Sequence, residues 1–228
     1  MATELPSVKR VRWSHAYRIV PSRFPPIGVY DRIADPADLD ALFAIEALTN
    51  PRLRDEVEAL KLVPKTRRLS GPGSTPVMAA FTHLNPQGSR FSDGSWGVFY
   101  AAHSVTTAVE ETVYHRELFL AATSEPPCEV QMRCYRTSLD SKLHDLRGGW
   151  PAEQAADSYT ASVALARRLR DLDSPGIVFD SARHVGGECI AAFYPDVVAP
   201  CVQAKHLVYR WDGKRIAQVL EVNELQRD

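Results

Sequence analysis

The chain has 228 residues, of which 45% are hydrophobic and 24% are charged, the balance of an ordinary globular domain. Its 27 basic and 28 acidic residues give a net charge of -1, so it lacks the basic character of proteins that bind nucleic acid through phosphates. No apolar run is long enough for a signal peptide or a transmembrane helix, and no polybasic tail indicates a membrane surface. We therefore expect a cytoplasmic protein with no direct nucleic-acid or membrane partner.

The cysteine pattern predicts neither disulfides nor a metal site. Cys128, Cys134, Cys189 and Cys201 form no CxxC pair, and no histidine cluster accompanies them at zinc-ligand spacing. A chain of this size does not need disulfides to stabilise its core. We expect four reduced thiols.

The N-terminal part of the chain reads as a strand followed by a helical insertion. Residues 15–20 have the composition of a strand, and a proline-rich loop follows them. Asp35-Pro36 and Asn50-Pro51 each combine an N-cap residue with a proline at the first helical position. We expect one domain over residues 1–228, with a helical insertion at about 35–62.

The rest of the chain predicts short strands with interspersed helices. The hairpin is the clearest element, because Asp212-Gly213 separates two β-rich runs and favours a two-residue turn of the primed type. The absence of regular βαβ alternation favours an α+β fold. The predicted elements are strands at 96–102 and 129–135, helices at 105–122 and 152–170, a strand–turn–strand unit at 176–195, and hairpin strands at 206–211 and 214–222.

An arginine in a glycine-rich loop is the first candidate for function. Arg90 lies in the run Gly88-Ser89-Arg90-Phe91-Ser92, with Gly94 close behind. Such a loop allows close approach to a phosphate, whose oxygens the planar guanidinium binds in pairs. The alternative is a surface arginine in a turn.

The helix predicted after Tyr100 carries the second set of candidates. Thr107, Glu111 and His115 are spaced four residues apart and therefore share one helical face. Glu110 points about 100° away, and it has the spacing to form a capping box with Thr107. Glu111 is then the carboxylate available for chemistry. The alternative is a pair of solvated glutamates near a helix start.

The third candidate is a serine at the end of a predicted strand. Ser181 precedes a tight turn indicated by Gly186-Gly187, and Arg183 follows it on the same side. No G-x-S-x-G elbow surrounds Ser181, so the pattern does not support a hydrolase nucleophile. The pattern fits a serine that binds phosphate or ribose and a simple turn serine equally well.

The order of these motifs resembles the RES domain family, which takes its name from an Arg, a Glu and a Ser. The most specific feature is a Tyr followed by a Glu eleven residues later and a His four residues after that. Here Gly-Ser-Arg-Phe-Ser replaces the usual Gly-Gly-Arg-Trp-Asn, and the arginine is kept. The matching residues are Tyr17-Arg18, Gly88-Ser89-Arg90-Phe91, Tyr100, Glu111, His115 and Ser181.

The resemblance implies a fold and a biological role. RES domains are similar to ADP-ribosyltransferases, so we expect a core of short, mostly antiparallel strands in two packed sheets with flanking helices. The family implies the toxin of a type II toxin–antitoxin pair, whose antitoxin is an Xre-like DNA-binding protein. A ParT-type branch, similar in length and insertion, transfers ADP-ribose to phosphoribosyl pyrophosphate synthetase. We favour transfer to a protein, with NAD hydrolysis or phosphorolysis as the alternative and a non-catalytic nucleotide-binding module as the alternative of another class.

The resemblance also implies a reaction centre in which NAD is the co-substrate. Cleavage of the nicotinamide–ribose bond passes through an oxocarbenium-like state, which a carboxylate stabilises. We assign this role to Glu111. Ser181 anchors the ribose or orders Glu111, and His115 supports the helix.

The remaining site residues are expected to bind the two ends of NAD. Arg90 binds the pyrophosphate, with Arg18 as a second cationic contact. Tyr100 stacks on the nicotinamide, since an aromatic face attracts a cationic ring. We expect no metal in this chemistry.

Overall fold

The computed structural model describes residues 4–22, residue 31 and residues 60–223. Apart from its last three residues, the helical insertion expected at about 35–62 lies outside the described residues.

Seven strands form one mixed sheet in the order β1-β2-β5-β4-β3-β6-β7. Neighbouring strands run antiparallel except β3 and β4, which are parallel. The predicted α+β class with mostly antiparallel strands is therefore confirmed. The strands are β1 (Val8–Pro21), β2 (Phe99–Ala102), β3 (Cys128–Asp145), β4 (Gly176–Asp180), β5 (Glu188–Ala192), β6 (Val202–Trp211) and β7 (Ile216–Val222).

Two long strands join what we expected to be two packed sheets. β1 pairs with β3 from Val8↔His144 to Pro21↔Met132, and its Tyr17 also pairs with Ala102 of β2. β3 has 18 residues, so its first half pairs with β6 and its end with β4 along the same edge. Hydrogen bonding is therefore continuous, and β1-β2-β5-β4-β3 close into a ring.

Three α-helices lie in the described part of the chain: α1 (Thr75–Thr82), α2 (Val105–Ala122) and α3 (Thr160–Asp171). The bounds of α2 match the prediction. Its N-cap is Ser104, whose side chain accepts a hydrogen bond from the Thr107 N–H at 3.1 Å. The expected capping box of Thr107 and Glu110 is therefore wrong, because the helix begins two residues before Thr107.

The helix predicted over residues 152–170 begins only at Thr160. The Gln154 side chain donates to the carbonyls of Leu146 and Gly149, at 2.8 and 2.5 Å. These bonds hold the preceding segment in turns, although its alanines have high helix propensity. Tertiary contacts thus override local propensity in this segment.

The predicted hairpin is present, but its connection has four residues instead of two. Trp211 pairs with Ile216, and the Asp212 carboxylate accepts the N–H groups of Lys214 and Arg215 at 2.8 and 2.9 Å. An aspartate that bonds the main chain two and three residues ahead stabilises a wider turn. The primed two-residue turn is therefore wrong.

The core lies among the ring strands and the helices packed on them. In β2, three of the four residues are buried and Tyr100 is partly buried. In β5, the last four residues are buried. A strand that is buried on both faces has a continuous apolar sequence, as β5 does. Side chains that are almost completely buried include Phe91, Phe99, Leu143, Phe193 and Tyr209.

The four cysteines are free thiols, as predicted. Burial raises the pKa of Cys134 to about 11 and that of Cys201 to about 12, so both stay protonated at neutral pH. In the described part of the chain, no helix combines the length and apolar character that crossing a membrane requires.

Candidate active site

Four of the predicted site residues meet beside the ring of strands. Arg90 lies in the loop between α1 and β2, Tyr100 on β2, Glu111 on α2, and Ser181 directly after β4. Strand β5 pairs with both β2 and β4, and α2 begins three residues after β2 ends. Sheet order therefore brings together residues that lie far apart in the sequence.

The carboxylate of Glu111 is held by a serine. Ser181 Oγ donates to Glu111 Oε1 at 2.6 Å and accepts the N–H groups of Arg183 and His184 at 3.2 and 3.0 Å. Because two main-chain donors occupy the oxygen of Ser181, its hydrogen points to Glu111. Among the described residues, Ser181 is the side chain that hydrogen-bonds Glu111, and it bonds only one of the two carboxylate oxygens.

A tight turn after Ser181 packs on the first turn of α2. His184 Nδ1 lies 2.9 Å from Thr107 Oγ1, and the Gly187 N–H donates to the His184 carbonyl at 2.9 Å. A Cβ atom on Gly187 would lie 2.7 Å from the Thr107 side chain, so the turn requires glycine there. Thr107 and Glu111 thus share a face toward this turn, as their spacing predicted.

Tyr100 holds the loop that carries Arg90. Its hydroxyl accepts the Phe91 N–H at 2.9 Å and lies 2.9 Å from Ser89 Oγ. Burial raises the pKa of Tyr100 to about 12, so the hydroxyl is neutral at physiological pH. The loop is therefore fixed on both sides of Arg90. Stacking of Tyr100 on nicotinamide stays a prediction.

Arg90 itself is almost buried, with 9% of its surface exposed. Its Nη1 donates to the Ala155 carbonyl at 2.8 Å, and its guanidinium carbon lies 5.0 Å from the centre of the Tyr159 ring. Tyr159 received no role from the sequence, because it lies inside the helix predicted over residues 152–170. In the structure it directly precedes the true start of that helix at Thr160.

Arg183 is a second arginine at the site that received no role from the sequence. Its guanidinium carbon lies 3.3 Å from the centre of the Tyr114 ring, and its Nη2 donates to the Ala156 carbonyl at 2.8 Å. Tyr114 follows Glu111 by three residues and therefore lies on the adjacent helical position. This spacing from Glu111 is the sequence signal that places Tyr114 near the site, and Arg183 is found there as the cation that stacks on its ring.

Arg18 of β1 lies against β2. Its Nη1 donates to the Tyr100 carbonyl at 3.1 Å, and its guanidinium carbon lies 4.8 Å from the centre of the Phe99 ring. Burial lowers the pKa of Arg18, and its Nε has no hydrogen-bond partner among residues 4–22, 31 and 60–223. Its assignment as a second cationic contact for NAD stays a prediction.

His115 continues the face of Glu111 by one turn. Burial lowers the pKa of His115, and the charge of Glu111 acts in the opposite direction. Its ring meets that of Tyr114 edge-on at 5.3 Å between centres. A structural role for His115 stays a prediction. In the described residues, no group of three His, Cys, Asp or Glu side chains is arranged to hold a metal ion.

A family model, a bacterial relative and a solved structure are similar to this chain. The RES domain model matches residues 65–212, more than half of the chain. The uncharacterized protein y4oC of Sinorhizobium fredii is 32% identical over 208 residues, which cover 88% of this chain and 84% of the relative. A chain in the crystal structure of the M. tuberculosis MbcT–MbcA toxin–antitoxin complex is 11% identical, with a TM-score of 0.44 over 92% of this chain and 87% of that one. This protein therefore belongs to the RES domain family.

Proposed function

We propose that this protein is the toxin of a toxin–antitoxin pair, which cleaves the nicotinamide–ribose bond of NAD and transfers ADP-ribose to a protein in the cytoplasm. The observation that carries the proposal is the hydrogen bond of 2.6 Å from Ser181 to Glu111. It orders a carboxylate by one of its two oxygens, next to a loop arginine. Membership of the RES domain family supports the same reading.

Glu111 supports the chemistry at the ribose. When the bond from the ribose C1′ to nicotinamide breaks, its electron pair leaves with nicotinamide and positive charge develops on the sugar. A carboxylate close to the sugar stabilises that charge and accepts a hydrogen bond from a ribose hydroxyl. A nucleophilic side chain of the acceptor protein then bonds to C1′ and loses its proton. Ser181 restricts Glu111 to one orientation and so favours this geometry.

Arg90 supports the binding of the charged end of NAD. Its buried guanidinium has a fixed position because Tyr100 holds the loop on either side. A desolvated guanidinium binds phosphate oxygens more strongly than one in water. We further propose that Tyr100 stacks on nicotinamide and that Arg18 adds a cationic contact.

The partners in this proposal follow from the family resemblance. An Xre-like antitoxin would neutralise the toxin, and a protein such as phosphoribosyl pyrophosphate synthetase would accept ADP-ribose.

The decisive experiment is mass spectrometry of NAD and of proteins after the purified chain has been incubated with a bacterial lysate. We expect free nicotinamide and one protein whose mass increases by one ADP-ribose. Nicotinamide with only free ADP-ribose or its phosphate would show NAD degradation in place of transfer. Intact NAD would contradict the proposal, and the Glu111→Ala protein is the control for lysate enzymes.

A further inference from the structure

Two arginines beside Glu111 are bound by one short segment of main chain. We call residues 154–159, which precede α3, the strap. Arg90 donates to the carbonyl of Ala155 and Arg183 to that of Ala156, each at 2.8 Å. Two guanidinium groups from distant parts of the sequence therefore converge on consecutive carbonyl oxygens.

Aromatic rings orient both guanidinium groups. Arg90 lies over Tyr159 and Arg183 over Tyr114, at 5.0 and 3.3 Å from the ring centres. Stacking occupies a face of the planar group and leaves its N–H edge for acceptors. Both charges also act on His115, where they lower its pKa, so the two groups lie in one electrostatic neighbourhood with Glu111.

The strap is held beside the turn that contains Ser181. The Gln154 side chain accepts the Asp180 N–H at 2.8 Å, and it also donates to the carbonyls of Leu146 and Gly149, which follow β3. Ala155 and Ala156 themselves carry no polar side chain. Their contribution to the site is therefore made by carbonyl oxygens, which are neutral acceptors.

We propose that Arg183 and Arg90 are the two arms of a diphosphate site, and that in the free protein the strap carbonyls occupy the positions of phosphate oxygens. This inference rests on the proposed function. Hydrogen bonds to charged acceptors are about twice as strong as those between neutral groups, so a diphosphate displaces the carbonyls of Ala155 and Ala156. Arg183 follows Ser181 by two residues, which places a phosphate next to the ribose that Glu111 contacts.

The first test measures the binding of ADP-ribose and of inorganic pyrophosphate by calorimetry. Because Arg183 contributes charge-assisted bonds, we expect Arg183→Ala to weaken both ligands by about tenfold to a hundredfold, with the melting temperature little changed. The control is Arg12→Ala, since Arg12 is exposed and pairs with Asp140 on β3. If Arg183→Ala binds both ligands with unchanged affinity, the diphosphate-site inference is wrong and the proposed function is unaffected. Failure of the wild type to bind ADP-ribose would overturn the proposed function with it.

The second test measures hydrogen exchange in the strap of the wild-type protein. If the diphosphate replaces the strap carbonyls, amides of residues 154–159 exchange faster at saturating ADP-ribose than in the free protein. Unchanged or slower exchange at saturation, with binding confirmed by calorimetry, would show that the strap does not occupy the site.

Discussion

The two adjacent glutamates of α2 differ in direction, and that difference decides which of them reaches the site. Glu111 lies against the Ser181 turn, whereas Glu110 is exposed. Consecutive helical residues are about 100° apart, so only one of two neighbours faces a given surface. The hydrogen bond from Ser181 then orders the Glu111 carboxylate, which as a residue type is usually exposed and mobile.

Replacement of Glu111 by glutamine tests the role of its charge. The amide oxygen still accepts the Ser181 hydrogen bond, but it cannot stabilise a developing positive charge. We expect Glu111→Gln to lower the rate of nicotinamide release by about 10²–10³-fold or more, with a near-native melting temperature. Glu110→Gln is the matched control and keeps its activity. Near-native turnover in Glu111→Gln would remove Glu111 from the reaction.

Tyr100 acts on Arg90 through the main chain of the loop. Tyr100→Phe removes both contacts of the hydroxyl and leaves the ring in place. Since the Arg90 loop loses its anchor, we expect the KM for NAD to rise about tenfold while kcat changes less. Ser89→Ala removes one of the two contacts and has a smaller effect on KM. An equal fall in kcat with unchanged KM would contradict this role.

At the scale of elements, an ion-pair network connects the strands of the ring. Asp145 at the end of β3 pairs with Lys9 of β1 at 3.0 Å and with Arg147 at 2.9 Å. Arg147 also pairs with Glu188 of β5 at 2.9 Å. The Asp145 side chain is only 3% exposed, and Arg147 at 27% is better shielded from solvent than Lys9 at 62%, so the pair with Arg147 is the less screened of the two. The network connects β1, β3 and β5.

The pKa of Asp145 predicts how stability depends on pH. Burial alone would raise this pKa, but hydrogen bonds from Arg147 and Lys9 outweigh it and lower the pKa from 3.8 to about 2. The ionised form is therefore favoured in the folded state, and its contribution is lost as pH falls from about 4 toward 2. We expect Asp145→Asn to lower the free energy of unfolding by about 2 kcal/mol at pH 7. Urea unfolding at pH 7 and pH 3 checks this, and a difference that does not shrink at pH 3 would contradict it.

At the scale of the whole molecule, closure of the ring assembles the candidate site. Glu111 and Ser181 lie 70 residues apart in sequence, and Arg90 and Ala155 lie 65 apart. The pairing of β5 with both β2 and β4 brings α2 and the Ser181 turn together. This part of the site therefore forms only when these three strands are paired.

Expression in bacteria distinguishes a toxin from a non-catalytic binding module. A binding module would keep its arginine contacts but would gain nothing from a carboxylate next to the ribose. We expect the wild-type chain to arrest growth and Glu111→Gln at the same expression level to be tolerated. Equal growth of both strains would favour the binding module.

The sequence by itself determined the features that depend on local chain geometry. Helical spacing identified the bounds of α2 and the common face of Thr107 and Glu111. Short motifs around Arg90, Tyr100, Glu111 and Ser181 indicated the RES domain family, because each motif and the order of the motifs can be read directly from the sequence. Two β-rich runs around the turn residues Asp212-Gly213 also predicted the β6–β7 hairpin, although its loop is longer.

The tertiary structure alone decided the features that depend on contacts between distant segments. The continuous ring follows from the length of β3 and its two partners on one edge, which no local pattern specifies. The strap is not helical because Gln154 bonds to main-chain groups before and beyond it. The position of Arg183 is set by its contacts with the Tyr114 ring on α2 and with the Ala156 carbonyl in the strap. Local helix propensity is worth less than about 1 kcal/mol per residue, so a few tertiary hydrogen bonds are enough to override it, as they do in the strap.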